Sequence, residues 1–190
     1  ARALYEAAGH SVGIEEGCKG ILLEIQEILS EIEALERFVG RVEQQMHDYL
    51  QEIPYCGSLL SLKGIGEVTV AGLIGEVGDF PQFRTLSEIL KMAGLDLFEI
   101  SSGQHKGARH ISKRGRPLLR KLLYFAAVNM IRKGGVMHTV YQRYLGRGML
   151  KKKALVAIAR KVLRILFALV RDHSYYIENY SKKEHFKLAA

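Results

Sequence analysis

The chain has 190 residues, 48% of them hydrophobic and 25% charged, with a formal net charge of +8; this is enough apolar material for one packed domain and an extension. Its longest apolar run, Ala154 to Val170, is interrupted by Arg160, Lys161 and Arg164, which excludes a lipid-facing membrane span. Cys18 and Cys56 have neither CxxC spacing nor a neighbouring His set, which argues against zinc and disulfides and for reduced thiols in the cytoplasm.

Charge divides the chain. Residues 1–56 hold four Lys/Arg against eleven Asp/Glu, net −7, whereas residues 57–190 hold 24 against 9, net +15. A clustered excess of cations suits a polyanion, because phosphates that meet them release condensed counterions. The opening ARALYEAAGH carries no secretory signal and no initiator Met, so the expectation is a piece of a longer protein.

From Ile21 the apolar residues recur at Ile25, Ile28, Ile32, Leu35, Val39, Val42, Met46, Tyr49 and Ile53, alternating spacings of four and three. That is the 3.5-residue period of a coiled coil. Residues 1–56 are therefore expected to form an acidic coiled-coil arm that pairs with a second copy, giving a homodimer or higher homo-oligomer, or with another part of the same protein; packing in a bundle against its own domain is the plainer alternative. Pro54 ends the helix, and a basic helical domain is expected over residues 57–190.

That domain begins with SLLSLKGIGEVTVAGLIGEVGDF, in which Gly64 and Gly66 flank Ile65 between two short apolar helical patterns, the second running from about Glu67 to Gly78. The form L-x-G-I-G followed by an apolar helix resembles the helix-hairpin-helix module, whose hairpin amides and helix N-terminus face a DNA phosphate. Lys63 would add charge beside it; a tight turn between packed helices explains the spacing equally well. A further helix is expected over about Thr85–Ala93, ending at Gly94.

Next comes SSGQHKGARHISKRGRP, Ser101 to Pro117, a loop with Lys106, Arg109, Lys113, Arg114 and Arg116, two histidines, three serines and no carboxylate. A serine hydroxyl becomes a nucleophile toward phosphorus only when a base removes its proton and cations stabilise the charge on the attacked group. Arg109, Arg114, Arg116 and Arg120 are suitable donors, Gly103 leaves room for a phosphate, and His105 or His110 can accept the proton. Pro117 starts the helix PLLRKLLYFAAVNMIRK, with Leu119, Leu122, Leu123, Ala126 and Met130 on its core face.

Two more helices are expected, over about Val136–Leu145 and Leu150–Asp172. In the last, Leu155, Ile158, Val162, Ile165 and Leu169 form an inward stripe, while Lys153, Arg160, Arg164 and Arg171 share another face that suits a nucleic-acid backbone or plain solvent. The tyrosines of the tail can stack on bases or simply dock. No P-loop, zinc spacing or dinucleotide fingerprint occurs.

Four blocks in this order, LKGIGEVTVAGLIGEVGDFPQF, KMAGLD, SSGQHKGARHISKRGRPLLRKLLYFAA and KKKALVAIARKVLRILFALV, resemble the C-terminal transposase domain of the insertion-sequence family that includes the pilin invertase Piv and the bridge-RNA-guided DEDD/serine recombinases. The resemblance covers about Leu59 to Arg171, and the heptad helix resembles the coiled coil that precedes that domain. It implies a mainly α chain: a long coiled-coil helix, then a compact helical domain containing a helix-hairpin-helix and a basic loop. It also implies a DNA transposase or site-specific recombinase whose serine nucleophile falls on Ser102, beside Gly103, with Ser101 and Ser112 as rivals.

Expected DNA contacts are Lys63, Gly64, Gly66, Gly103, Lys106, Arg109, Lys113, Arg114, Arg116, Arg120, Lys153, Arg160 and Arg164. A guide RNA is a further partner that the resemblance raises. No cofactor or metal is expected in this chain; Mg2+ would belong to an N-terminal RuvC-like domain that nothing in residues 1–56 supplies, so the chain alone is expected to be inactive. The expected location is the cytoplasm, at the nucleoid. A non-catalytic DNA-binding scaffold is the alternative.

Overall fold

The computed structural model describes residues 2–10, 18–99, 101–102, 105–106 and 109–178. It is mainly helical, as the sequence predicts. The chain divides into two compact units, residues 1–45 and 46–190.

α1 (Arg2–Gly9) precedes α2 (Cys18–Gln51), the heptad helix, whose residues up to 45 belong to the first unit and whose last turns belong to the second. Ile21, Ile25, Ile28, Ile32, Leu35, Val39 and Val42 keep 44–57% of their surface exposed, and Leu22, Leu29 and Phe38 widen the same apolar side. No helix among the described residues is long and apolar enough to cross a membrane.

The second unit is built around two helices. α6 (Pro117–Met130) packs along α8 (Lys151–Arg171), with α3 (Cys56–Leu60), α4 (Glu67–Val77), α5 (Leu86–Met92) and α7 (His138–Gly146) arranged about the pair. Leu119, Leu123, Ala126, Ala127 and Met130 of α6 meet Ile158, Val162, Leu163 and Leu166 of α8 in a closed apolar core. Since α8 touches several neighbours, it buries a wide sector centred near Val162 and Leu166. Ile165 falls at the margin of that sector, and Leu155 lies near the helix start; both are half-buried rather than central. The helix boundaries follow the expected punctuation: Pro117 opens α6, Gly78 follows α4 at φ +77, and Gly94 follows α5 at φ +63.

The stretch read as a loop is instead a narrow ribbon. β1 (Leu97–Phe98) pairs antiparallel with β4 (His110–Ile111), and β2 (Ser101–Ser102) with β3 (His105–Lys106). Two-residue ladders give no alternation to read, which is why sequence periodicity misses them.

The ribbon's base is a contact between two backbone segments. Gly115, at φ +153, has no Cβ; one placed there would lie 2.4 Å from the Met92 carbonyl oxygen and 2.6 Å from the Gly94 nitrogen. Across this crossing Lys113 N donates to Gly94 O (3.0 Å) and Arg116 N donates to Met92 O (2.8 Å). Lys113 sits at φ 56, an uncommon conformation for a residue with a side chain. Gly115→Ala combines that steric conflict with an unfavourable φ and should cost about 2 kcal/mol or more, read as a lowered urea midpoint. Gly66→Ala, at φ −99 with open space around it, should cost less than about 1 kcal/mol. Equal losses at the two positions would contradict this account of the crossing.

Candidate nucleic-acid interface

The basic residues sort into three groups by what surrounds them. The first serves the fold. Arg120, on the first turns of α6, donates from Nη1 to the carbonyls of Ala93 (3.1 Å) and Lys113 (3.5 Å), closing the glycine crossing with its guanidinium. Arg116 is the N-cap residue of α6, its amide held by Met92 while its side chain is exposed. Arg109 donates from Nε to Glu99 Oε2 at 2.9 Å, so an acidic residue just before the serine-rich stretch already partners one expected phosphate donor.

The second group lines a cleft. Lys91, Asp96, Phe98, Ser112 and Arg114 surround a space of about 410 Å³ beside the ribbon base. Ser112 donates from its hydroxyl to Asp96 Oδ1, and its amide donates to the Asp96 carbonyl at 2.9 Å, so this rival serine is tied to a carboxylate. Arg160 approaches the same Asp96 from α8. It is half-buried, its Nε is buried with no hydrogen-bond partner among the described residues, and its pKa is lowered, first by burial and then by Arg164, against the opposing pull of Asp96. Expected as an outward-facing cation, Arg160 is thus largely drawn inward, whereas Lys153 and Arg164 are exposed on α8.

The third group is the Gly64–Gly66 turn between α3 and α4. Gly64 adopts φ +99 and faces Met130 of α6 so closely that a Cβ would fall 2.9 Å from Met130 Cγ. Gly66 is the N-cap of α4, and its carbonyl accepts from the amides of Thr69 and Val70, both at 3.0 Å. Lys63 is exposed, and its Nζ lies 3.6 Å from Glu178 Oε2. The segment carrying Glu178 is anchored nearby: Tyr176 N donates to Ser61 Oγ at 2.8 Å, and the Tyr175 ring lies over Gly57.

Ser101, Ser102, His105 and Lys106 are placed by their backbone alone, in β2 and β3, where Ser102 pairs directly with His105. Their side chains, and Gly103 altogether, lie outside the described residues. His110 pairs with Phe98, the two rings 6.4 Å apart. The contributions that sequence reasoning missed are Lys91, Asp96, Phe98 and Glu99. The block KMAGLD contains two of them, yet a single Asp between Leu residues gives no signal of its own.

At the start of α4, Glu67 accepts from His47 Nδ1, with its two carboxylate oxygens 3.0 and 3.1 Å away. That hydrogen bond, and then the Glu67 charge, raise the His47 pKa; burial opposes the rise and Asp48 adds to it. A raised folded value means that protonated His47 stabilises the fold fully below its ordinary pKa of 6.5, and that this contribution fades as pH climbs through the folded value. His47→Gln should therefore lower the urea midpoint at about pH 5.5 and leave it nearly unchanged at about pH 9. The same loss at both would show that the charge is not what holds His47 to Glu67.

Residues 56–142 match the family described as Transposase IS116/IS110/IS902. Over 173 residues the chain is 26% identical to the insertion element IS110 uncharacterized 43.6 kDa protein of Streptomyces coelicolor, covering 91% of this chain and 43% of that one. It is 30% identical over 156 residues to a probable family 20 transposase of Pseudomonas aeruginosa, covering 80% and 46%. It is 31% identical over 136 residues to the pilin gene-inverting protein of Moraxella lacunata, covering 68% and 41%. The chain thus spans less than half the length of these relatives.

Proposed function

We propose, because residues 56–142 match the transposase IS116/IS110/IS902 family, that this chain is the DNA-handling part of a transposase or site-specific recombinase and that Ser102 is its nucleophile. The observation that carries the reading is the ribbon. The block of sequence shared with the family folds as a serine-bearing β2–β3 pair beyond a hydrogen-bonded base, with Lys91 and Arg114 lining the cleft there and the exposed Lys113 and Arg116 bound to the base through their amides. A phosphodiester lying there would be met by guanidinium and ammonium groups, the environment that phosphoryl transfer needs.

The step is a phosphodiester exchange. The Ser102 oxygen forms a bond to phosphorus, one P–O bond to a deoxyribose breaks, and the departing sugar hydroxyl takes up a proton. His105, the direct cross-strand neighbour of Ser102, is preferred over His110 as acceptor of the serine proton. One ester replaces another, so rejoining needs no external energy source. Arg109, whose partner is a single carboxylate, is free to exchange it for phosphate.

Lys63, Gly66, Lys153 and Arg164 grip the duplex backbone outside the reacting centre, Lys106 adds charge from β3, and Gly103, next to Ser102 in sequence, leaves room for the phosphate. Gly64 and Arg120 support these contacts through the fold, and Arg160 acts at the cleft. The apolar side of α2 pairs with a second copy, which would cover side chains that are otherwise half exposed to water. Metal chemistry, with Mg2+, would belong to a RuvC-like domain outside these residues. A guide RNA would use the same backbone contacts, and the work takes place at the nucleoid.

With the chain extended to the length of its relatives, Ser102→Ala should lower strand cleavage by on the order of a thousandfold or more while duplex affinity stays within about threefold. Ser112→Ala should lower cleavage far less, since it removes one hydrogen bond at the ribbon base. Full cleavage by the Ser102→Ala protein would remove Ser102 as the nucleophile, and full cleavage with Ser101 and Ser112 also replaced would leave these residues as a non-catalytic DNA-binding scaffold.

A further inference from the structure

The cleft beside the ribbon combines features that a backbone grip does not require. A phosphate track needs cations alone, yet this one has an aromatic wall and a carboxylate. Phe98 is 42% exposed at the edge of the cleft, and its ring is backed by His110 across the β1–β4 ladder. Asp96 is half-buried, with Oδ1 occupied by the Ser112 hydroxyl and no hydrogen bond to Oδ2 among the described residues. Lys91 and Arg114 stand at the same cleft, and Arg160 lies close enough to Asp96 to feel its charge. The volume, about 410 Å³, lies within the range of small-ligand sites, roughly 300–1,000 Å³.

Each part answers one part of a nucleotide. Exposed aromatic rings stack on bases whatever their identity, because every base has a π-face. Ammonium and guanidinium groups bind phosphate as a point charge and as a fork. A carboxylate accepts from N–H groups, and among the bases guanine alone offers two adjacent donors, N1–H and the N2 amino group, on its pairing edge. That edge is free only when the base has left its pair.

We propose that this cleft holds one unpaired, unstacked nucleotide, its base against Phe98, its pairing edge read by Asp96 with Ser112, and its phosphate on Lys91 and Arg114, with guanine preferred. The inference rests on the recombinase reading for its biological setting, since strands that exchange must unpair near the point of cutting. The cleft would keep a displaced base from re-pairing while the ribbon holds the adjacent phosphate. The extrusion cost falls on the DNA, a few kcal/mol per base and least where the strand is already open.

The chain contains no tryptophan, which makes the test direct. Phe98→Trp places a single indole in the wall without removing the stacking surface, and its fluorescence is followed as deoxynucleoside monophosphates are added. The expected result is saturable quenching by deoxyguanosine monophosphate, weaker by at least about fivefold with thymidine monophosphate and absent with deoxyribose 5-phosphate or inorganic phosphate. Lys91→Ala in the same background should weaken binding about tenfold, and Asp96→Asn should erase the guanine preference. Equal response to sugar phosphate, no saturation with any nucleotide, or indifference to Lys91→Ala would each overturn the proposal. Duplex binding by the unsubstituted chain is measured alongside. Duplex binding without nucleotide quenching removes the cleft proposal alone, and the absence of both removes the DNA-handling reading as well.

Discussion

The ribbon and the cleft beside it depend on one close approach, the contact between the end of α5 and the start of α6 at Gly94 and Gly115. There the backbone of residue 115 rests directly on that of residues 91–94, at distances no side-chain-bearing residue allows. Crossing hydrogen bonds from Lys113 and Arg116 and the Arg120 guanidinium lock it. Because both ends of the ribbon emerge from this crossing, its geometry sets where β1 and β4 pair. It also brings Asp96 and Ser112 together and leaves Lys91 and Arg114 at the cleft between them. A flexible loop of the same composition would lose conformational entropy on binding phosphate; a ribbon fixed at its base has already lost it during folding.

The same constraint separates charge that supports the fold from charge available to a partner. Arg120 is occupied by two carbonyls and Arg160 is half-buried, so the +15 of residues 57–190 overstates the cations free to meet a polyanion. Exposed pairs such as Lys63 with Glu178 contribute little stability and exchange readily for phosphate. Glu178 is carried there by a segment anchored through Tyr176 and Ser61, so this carboxylate sits beside the Gly64–Gly66 turn by construction of the chain.

Much of this fold could be read from the sequence because its elements announce themselves. The alternation of four and three from Ile21 onward gives α2, Pro117 gives the start of α6, Gly94 the end of α5, and the spacing of Ile158, Val162 and Leu169 the buried side of α8. The ribbon escaped because strands of two residues have no period, and its register is fixed instead by Gly115, a residue that in sequence looks like any other turn glycine. Arg160 escaped for a related reason: helical spacing places it with Lys153 and Arg164, but what half-buries it is the packing of α8 against elements distant in sequence, and the charge it senses on Asp96 lies 64 positions away. Asp96 and Phe98 flank Leu97 in an unremarkable apolar stretch, and only the β1–β4 pairing sets both beside Ser112 and His110.

The central claim is that the ribbon delivers a serine oxygen to a DNA phosphorus, and its most direct test is the chemistry left on the protein. The chain, extended to the length of its relatives, is reacted with a DNA substrate nicked to stop rejoining, then denatured, digested and mapped by mass spectrometry. The account predicts a single nucleotide adduct, linked through phosphate to Ser102. An adduct on Ser101 or Ser112, or cleaved DNA with no adduct on any serine, would contradict it.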